Sequence, residues 1–405
     1  MKPYLTITLL GIALSLHAQT TRLSLQQCIG LALAQNDKVQ AAAKSVQRAK
    51  TLQATAWDVD KTELSLSQDP TSGGSPDNAV TLSQTIDFPT LYVARHRQLK
   101  AETQAEYSRL NLVKKEVTAE VTAAYCQWQY EQRRLSLLNQ QDTLLTRFLQ
   151  MAEKRHEAGE ARQLEVLSAE RMQRENRLEI AIAKSETEQA RLLLAQLVKT
   201  PGIEPADTQL EPLPFTLPSY DYSQTASGLY AADRLTVADR AVSVAKNGYA
   251  PTLSLSLRHQ AVLTGWDPYH QQRSRFDGGN FMGFEVGVGV PLFFGATKAK
   301  VKAAIQERDI LQHEMQTEQL RQTTEYQSLL SRINAAHSRI EYYRESGTAK
   351  ANEMTRLATL EYEQGEITYI EYTNVLQESV SIRQKEASAI HEYNQAVIEL
   401  QKTVE

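Results

Sequence analysis

A chain of 405 residues with 41% hydrophobic residues, 7% aromatics and a mean hydropathy of −0.43 has the length of two or three ordinary domains but thin material for several compact cores. That balance suits long helices with one narrow apolar stripe each. A net charge of −4 makes no case for nucleic-acid binding.

Residues 1–18 read as a signal peptide, with Lys2 as its charged start, Leu5 to Leu16 mostly apolar, and the small residue Ala18 at the cut. About a dozen apolar residues is too short for a membrane anchor. Gln19, not cysteine, follows the cut, so no N-terminal lipid is expected. Cys28 and Cys126 fall within helical patterns and read as ordinary thiols. Beyond the signal there is no run of 18 apolar residues, so an exported chain that reaches a bilayer must do so with strands.

Residues 19–200 make a first structural repeat. Leu25, Cys28, Ile29 and Ala32 stand at helix spacing behind a capping Ser24, and Asn36-Asp37 predicts a break before a longer helix. Strands are expected at about 62–68, with Leu64 and Leu66 on one face, and at about 80–88, with Val80, Leu82, Ile86 and Phe88 on one face. Asp69–Asn78 between them is all turn chemistry. From 90 to 158 there is neither glycine nor proline, which predicts a helix of roughly 100 Å. Its seam runs through Leu110, Val117, Ala124, Leu138 and Leu145 in one row and Val121, Trp128, Leu135 and Leu149 in the other. Lys114, Glu131 and Asp142 interrupt the seam, so part of it is expected to be wet. The chain turns at Gly159, and a helix follows over 160–200.

Residues 201–229 form a Pro-rich linker or surface segment. A second repeat then fills 230–405: a helix, strands at about 252–262 and 282–294, a long helix over 296–364 interrupted by Gly347 alone, a tip at Gly365 and a helix over 366–405. The last strand alternates strictly, with Phe284, Val286, Val288, Val290, Leu292 and Phe294 opposite Glu285, Gly287, Gly289 and Pro291. The tips match as HEAGEARQLEVL and YEQGEITYIEYT, and the matched arm lengths mark an internal duplication. Pro89 at the first strand-to-helix joint, and Pro291 to Gly295 at the second, are expected to turn the backbone.

Four amphipathic strands cannot stand alone in hydrocarbon, because an open sheet leaves backbone groups unpaired. Copies must therefore share a barrel, and ring closure would also give the helix seams neighbours. The bare Gly287 and Gly289 point to an open lumen. Phe88, Tyr249, Phe293, Phe294, Trp266, Tyr269 and Phe281 near the strand ends fit an aromatic girdle. The same alternation would also cover the core of a soluble sandwich.

LSLQQCIGLALAQNDKVQAA, GVGVPLFFGATKAKVKAA and YEQGEITYIEYTNVL resemble the opening helix, a strand-to-helix junction and the second tip of the outer-membrane efflux proteins, the TolC-like channels. The resemblance covers essentially the whole mature chain. It implies a mixed, mainly α fold, internally duplicated, that assembles as a homotrimer with a 12-stranded β-barrel in the outer membrane and a 12-helix periplasmic α-barrel. The implied partners are outer-membrane lipid, a periplasmic adaptor (membrane fusion protein) and an inner-membrane pump or transporter, and the implied activity is passage of cargo to the outside. At the tips, Gly159 and Gly365 suit left-handed helix ends. The resemblance adds adaptor docking by Ala158, Gly159, Glu160 and Ala161 and by Gln364, Gly365, Glu366 and Ile367. It also implies a periplasmic gate near Glu371 and Asn374, where three copies of Glu371 on an axis would push their pKa values up. Asn374 departs from the acidic pair of the family pattern. Tyr362, Tyr369 and Tyr372 either pack that constriction or pad the helix seam.

No catalytic, cofactor or metal site is expected. His96, His156, His259, His270, His313, His337 and His391 are scattered without a pair at ligand spacing. A periplasmic adaptor or a coiled-coil scaffold is the alternative, though neither calls for strand pairs. The cargo, whether metal ion, drug, dye or polypeptide, is not written in these residues.

Overall fold

The computed structural model describes residues 21–70, 76–217, 219–261 and 280–404. The expected signal peptide, residues 71–75 of the expected turn, the aromatics Trp266, Tyr269 and Phe276, and the side chain of Phe281 lie outside the described residues. The chain divides into two compact units, one of Ala41–Val113 and Tyr220–Thr324, the other of the segment up to Gln40, Lys114–Ser219 and Glu325–Val404.

The first unit is built on an antiparallel sheet. Strands β2 (Glu63–Pro70), β3 (Pro76–Asp87), β5 (Thr252–Ala261) and β6 (Asn280–Gly289) lie in that order. The register sets Leu64, Leu82, Leu257 and Phe284 in one cross-strand row, and Ile86, Leu253 and Val288 in another. This face is bare: Leu66 is 80% exposed and Phe284 76%. The opposite face carries Glu63, Ser83, Ser256 and Glu285 in one row. Gly287 and Gly289 belong to that polar face for a local reason. A Cβ at either would stand 2.3 or 2.5 Å from the hydroxyl of Ser254 or Thr252 on the paired strand.

The expected strand over 282–294 is corrected at its end. Pairing stops at Gly289 opposite Thr252, so Val290 to Phe294 have no partner strand, and Pro291 has no N–H to offer one. Helices α2 (Asp37–Leu52) and α5 (Ala226–Lys246) and the first parts of α3 (Pro89–Glu157) and α6 (Gly295–Tyr342) complete this unit. Gln53 donates to Thr103 at 2.7 Å, Thr90 to Asn247 at 2.6 Å and Ser108 to Asp233 at 2.5 Å.

The second unit is helical. It joins α1 (Leu25–Gln35) to the rest of α3 and α6, α4 (Gln163–Val198), α7 (Thr348–Gln364) and α8 (Tyr369–Val404). Seam residues Val117, Val121, Ala124, Trp128, Leu138 and Leu145 are all buried. Glu131 does not wet the seam. It is buried, receives a hydrogen bond from Gln127 at 2.8 Å and lies 3.6 Å from Arg134, which also reaches Glu179 and Glu186. Burial, and then the Glu186 charge, raise the Glu131 carboxyl above the usual range. Cys28 and Cys126 are free and buried, and burial pushes their thiols up to about 11 and about 12.

The helix expected over 296–364 is not continuous. Tyr343–Gly347 form a π-helical turn between α6 and α7. Gly347 suits that turn, because a Cβ there would lie 3.1 Å from the ring of Tyr343.

The Pro-rich segment is docked rather than free. Its strand β4 (Ile203–Pro205) pairs in parallel with β1 (Thr21–Leu23), and Leu210, Leu213 and Phe215 pack on a core of Leu137, Leu329, Ile333, Tyr393 and Val397. Proline-rich backbone cannot satisfy itself, so a side chain supplies the partners. Fully buried Asn394 accepts from Leu213 N–H at 2.8 Å and donates to the Glu211 carbonyl at 2.9 Å. Asn394→Ala is expected to lower stability by about 2–4 kcal/mol by orphaning both groups, read as a fall in thermal midpoint with faster proteolysis within 206–217. An unchanged midpoint and cleavage pattern would rule out this clamp.

Candidate functional site at the helix tips

Two helix ends turn the same way. Gly159 and Gly365 both sit at φ 76°, the left-handed region where a Cβ is strained. At the first tip Glu160 N–H bonds the Arg155 carbonyl at 2.8 Å and Gly159 N–H the His156 carbonyl at 2.9 Å. The second repeats this with Glu366 to Glu361 at 2.9 Å and Gly365 to Tyr362 at 3.1 Å. This is the Schellman pairing that closes a helix end. Ala158, Gly159, Glu160, Gln364, Gly365 and Glu366 are exposed, while Ala161 and Ile367 are half-buried. Because each turn uses the residues just after its glycine, α4 and α8 begin at Gln163 and Tyr369, three residues later than the sequence reading of 160–200 and 366–405.

The next helices start differently. At the second tip Thr368 and Glu371 form a reciprocal capping box: Thr368 N–H and its hydroxyl both donate to the Glu371 carboxylate at 2.8 Å, and Glu371 N–H donates to the Thr368 hydroxyl at 3.3 Å. These hydrogen bonds, backbone first, hold the Glu371 carboxyl below its ordinary value. Within one chain the direction is therefore the reverse of the rise expected from a repelling ring. The T-x-x-E pattern of Thr368-Tyr369-Ile370-Glu371 is legible in the sequence as such a box.

At the first tip the residue at the capping position is Arg162, whose side chain makes no cap bond. Glu165, the counterpart of Glu371, turns inward instead. It is only 7% exposed and accepts the hydroxyl of Tyr362 from α7. Tyr362 and Tyr372 are 0% exposed and stack at 4.7 Å between centroids, with Phe148 of α3 at 5.6 and 5.4 Å from them. The Arg155 guanidinium lies 5.0 Å over the Tyr362 ring. Burial first, then the Glu165 hydrogen bond, push the Tyr362 phenol well above its ordinary range. Burial does the same to Tyr372.

The gate candidates are thus divided. Within one chain Tyr362 and Tyr372 are buried in an apolar cluster, with Tyr369 packed against it, while Glu371 and Asn374 are exposed. No local signal in the sequence marks the roles of Glu165 and Arg155, and only the bulk of Phe148 hints at its burial. Their meeting joins residues about two hundred positions apart.

At the joints, Pro89 is the first residue of α3, where its missing N–H costs nothing. Pro291 lies between β6 and α6, and Gly295 opens α6. The φ of Gly295 is not left-handed and a Cβ there would meet nothing, so this position does not itself require glycine. Exposed Trp57 stacks on Tyr92 at 5.8 Å, and Arg95 pairs with Asp87 at 3.3 Å. Among the described residues no group of three or more His, Cys, Asp or Glu is placed to hold a metal, and no helix is long and apolar enough to cross a membrane.

The family model described as outer membrane efflux protein matches residues 28–198 and, a second time, 229–404. Among solved structures, the outer-membrane channel OprN is similar at a TM-score of 0.80 and 16% identity, over 94% of this chain and 89% of that one. CusC is similar at 0.78 and 17%, over 95% and 92%. The open state of the MtrE outer membrane channel of Neisseria gonorrhoeae is similar at 0.74 and 18%, over 94% and 88%. Identities this low show the shared fold alone. No curated protein matches the sequence.

Tyr362→Phe keeps the aromatic stack but leaves a buried carboxylate without its donor. It is expected to cost about 1–3 kcal/mol, seen as faster amide exchange in α7 and the start of α4, whereas Glu165→Gln with Tyr362 intact should cost less. Equal protection in wild type and Tyr362→Phe would refute the tie.

Proposed function

The chain belongs to the outer membrane efflux protein family, and from that membership we propose that it is the exit duct of a tripartite efflux or type I secretion system, assembled as a homotrimer. The observation that carries the reading is the four-stranded sheet with one bare apolar face, each half of which runs directly into a long helix. Its edge strands β2 and β6 each have a single neighbour. In hydrocarbon both edges need a further strand. Three copies supply a closed barrel of twelve strands, within the size range of such barrels.

Other features support assembly. Helix α4 exposes Leu164, Leu167, Leu178, Ile182, Leu192 and Leu193 along its length, an apolar seam that a neighbouring copy would cover. The two matched spans of the family model support the duplication, with the repeats at 19–200 and 230–405. The energy for transport comes from the inner-membrane partner, and the duct itself is passive. The exposed turns at Gly159 and Gly365 meet the adaptor, and Glu371 with Asn374 ring the periplasmic aperture. Opening the aperture must move α7 and α8, and the tie between Tyr362 and Glu165 holds α7 to α4 in this structure. The exposed apolar sheet face disfavours an adaptor or a coiled-coil scaffold.

Outer-membrane fractions should yield a trimer on unheated gels that collapses to monomer on heating, and a soluble monomer would overturn the duct. Gly365→Trp should leave that trimer intact while reducing capture of the adaptor. Undiminished capture by an intact trimer would remove the second tip from the docking surface.

A further inference from the structure

The opening segments of both long helices carry cations and no acids. Pro89–Ala101 holds Arg95, Arg97 and Lys100 with no Asp or Glu, and Gly295–Gln306 holds Lys298, Lys300 and Lys302 with no Asp or Glu, in a chain of net charge −4. A helix N-terminus is the positive end of the peptide dipoles and favours acids. Helices α2, α4 and α8 obey that preference with Asp37, Glu165 and Glu371 in their first turns, whereas α1, α3, α5, α6 and α7 have no acid there. Of these five, α3 and α6 alone hold several cations and no acid over their first dozen residues, and both begin where a strand of the four-stranded sheet becomes a helix.

These cations are not spent on ion pairs. Arg95 bonds Asp87, but Arg97, Lys100, Lys298, Lys300 and Lys302 are exposed and, among the described residues, have no acidic partner. Lys61 and Lys246 beside them are likewise exposed and unpaired. The segments that carry them lie side by side. Trp57 stacks on Tyr92, Thr90 donates to Asn247, Tyr249 packs on Phe294 at 5.8 Å, and a Cβ on Gly248 would touch Thr297 at 3.0 Å. The result is a mainly basic band around the base of the sheet, in which Lys61 and Arg95 share a cleft with Asp58, Asp60 and Asp87. Next to it stand exposed Trp57, Phe88, Tyr249, Leu292 and Phe293, the last 92% exposed, and beyond them the apolar sheet face. Apolar strands, then aromatics, then cations is the order of hydrocarbon, interface and headgroup.

We propose that this band is a binding site for anionic phospholipid headgroups of the leaflet facing the helices. The lipid phosphates supply the negative charge that the first turns of α3 and α6 lack. The inference rests on the reading that the sheet lies in the outer membrane. A lipid fits better than a free anion, because the cations spread over four adjoining segments beside exposed aromatics and do not converge on one cradle.

The test uses the full-length, delipidated trimer and measures its binding of fluorescent phosphatidylglycerol and phosphatidylcholine, together with its insertion into phosphatidylcholine vesicles. Wild type should prefer phosphatidylglycerol, and the preference should weaken with salt. In the variant Arg97→Gln/Lys100→Gln/Lys298→Gln/Lys302→Gln the preference should fall on the order of tenfold, with insertion into phosphatidylcholine unchanged. Equal preference in wild type and variant, with both inserting normally, would overturn the lipid site and leave the membrane reading standing. Displacement of the lipid by an equimolar concentration of inorganic phosphate would overturn it in favour of a free anion. Failure of wild type to insert into any vesicle would remove the membrane reading and the lipid site together.

Discussion

Two unpaired sheet edges set the terms for this molecule. Along the outer sides of β2 and β6 run backbone N–H and C=O groups that the described chain does not pair. In water that is a liability, and in hydrocarbon each unpaired group costs several kcal/mol. On the proposed reading the remedy is a further copy on each side, and closing a ring of copies would give each one's long helices neighbours as well. The exposed leucines of α4 would then follow from the same constraint as the bare strands.

The two tips show how one substitution redirects a repeated motif. Their glycines share a φ of 76° and the same pair of closing hydrogen bonds. Their glutamates three positions into the following helix do different work. Thr368 gives Glu371 a reciprocal partner, so that carboxylate stays at the surface and caps α8. Arg162 makes no cap bond, and Glu165 is buried against Tyr362. The aromatic stack of Tyr362, Tyr372 and Phe148 excludes water from that contact, which strengthens it and makes its loss costly. One copy of the motif starts a helix, and the other fastens two hairpins together.

Buried polarity elsewhere follows the same logic of supplied partners. Asn394 serves a backbone that prolines leave short of bonding options, and Arg134 forks among Glu131, Glu179 and Glu186 beneath the α3 seam. Such groups add little net stability over apolar packing, but removing one partner is expensive. They fix register between elements that smooth apolar stripes alone would let slide.

Period, length and turn chemistry are local properties, and they were legible in the residues. Alternation at Glu63–Ser67 and Phe284–Val288 marked strands, uninterrupted helix formers marked α3, and Gly159 and Gly365 marked the tips. The resemblance of the two tips could be read too, because it is a repetition of local patterns. What the chain order could not disclose were meetings between distant segments. The end of β6 at Gly289 depends on where β5 begins, the docking of the Pro-rich segment depends on Asn394, and the inward turn of Glu165 depends on Tyr362. Sequence by itself determined the long helices, the four amphipathic strands and which face of each strand is apolar, since spacing along one element dictates that. Tertiary structure alone decided that Glu165 is buried, because its partner Tyr362 is brought within hydrogen-bonding distance from about two hundred residues away, whereas the partner that makes Glu371 a cap is only three residues off.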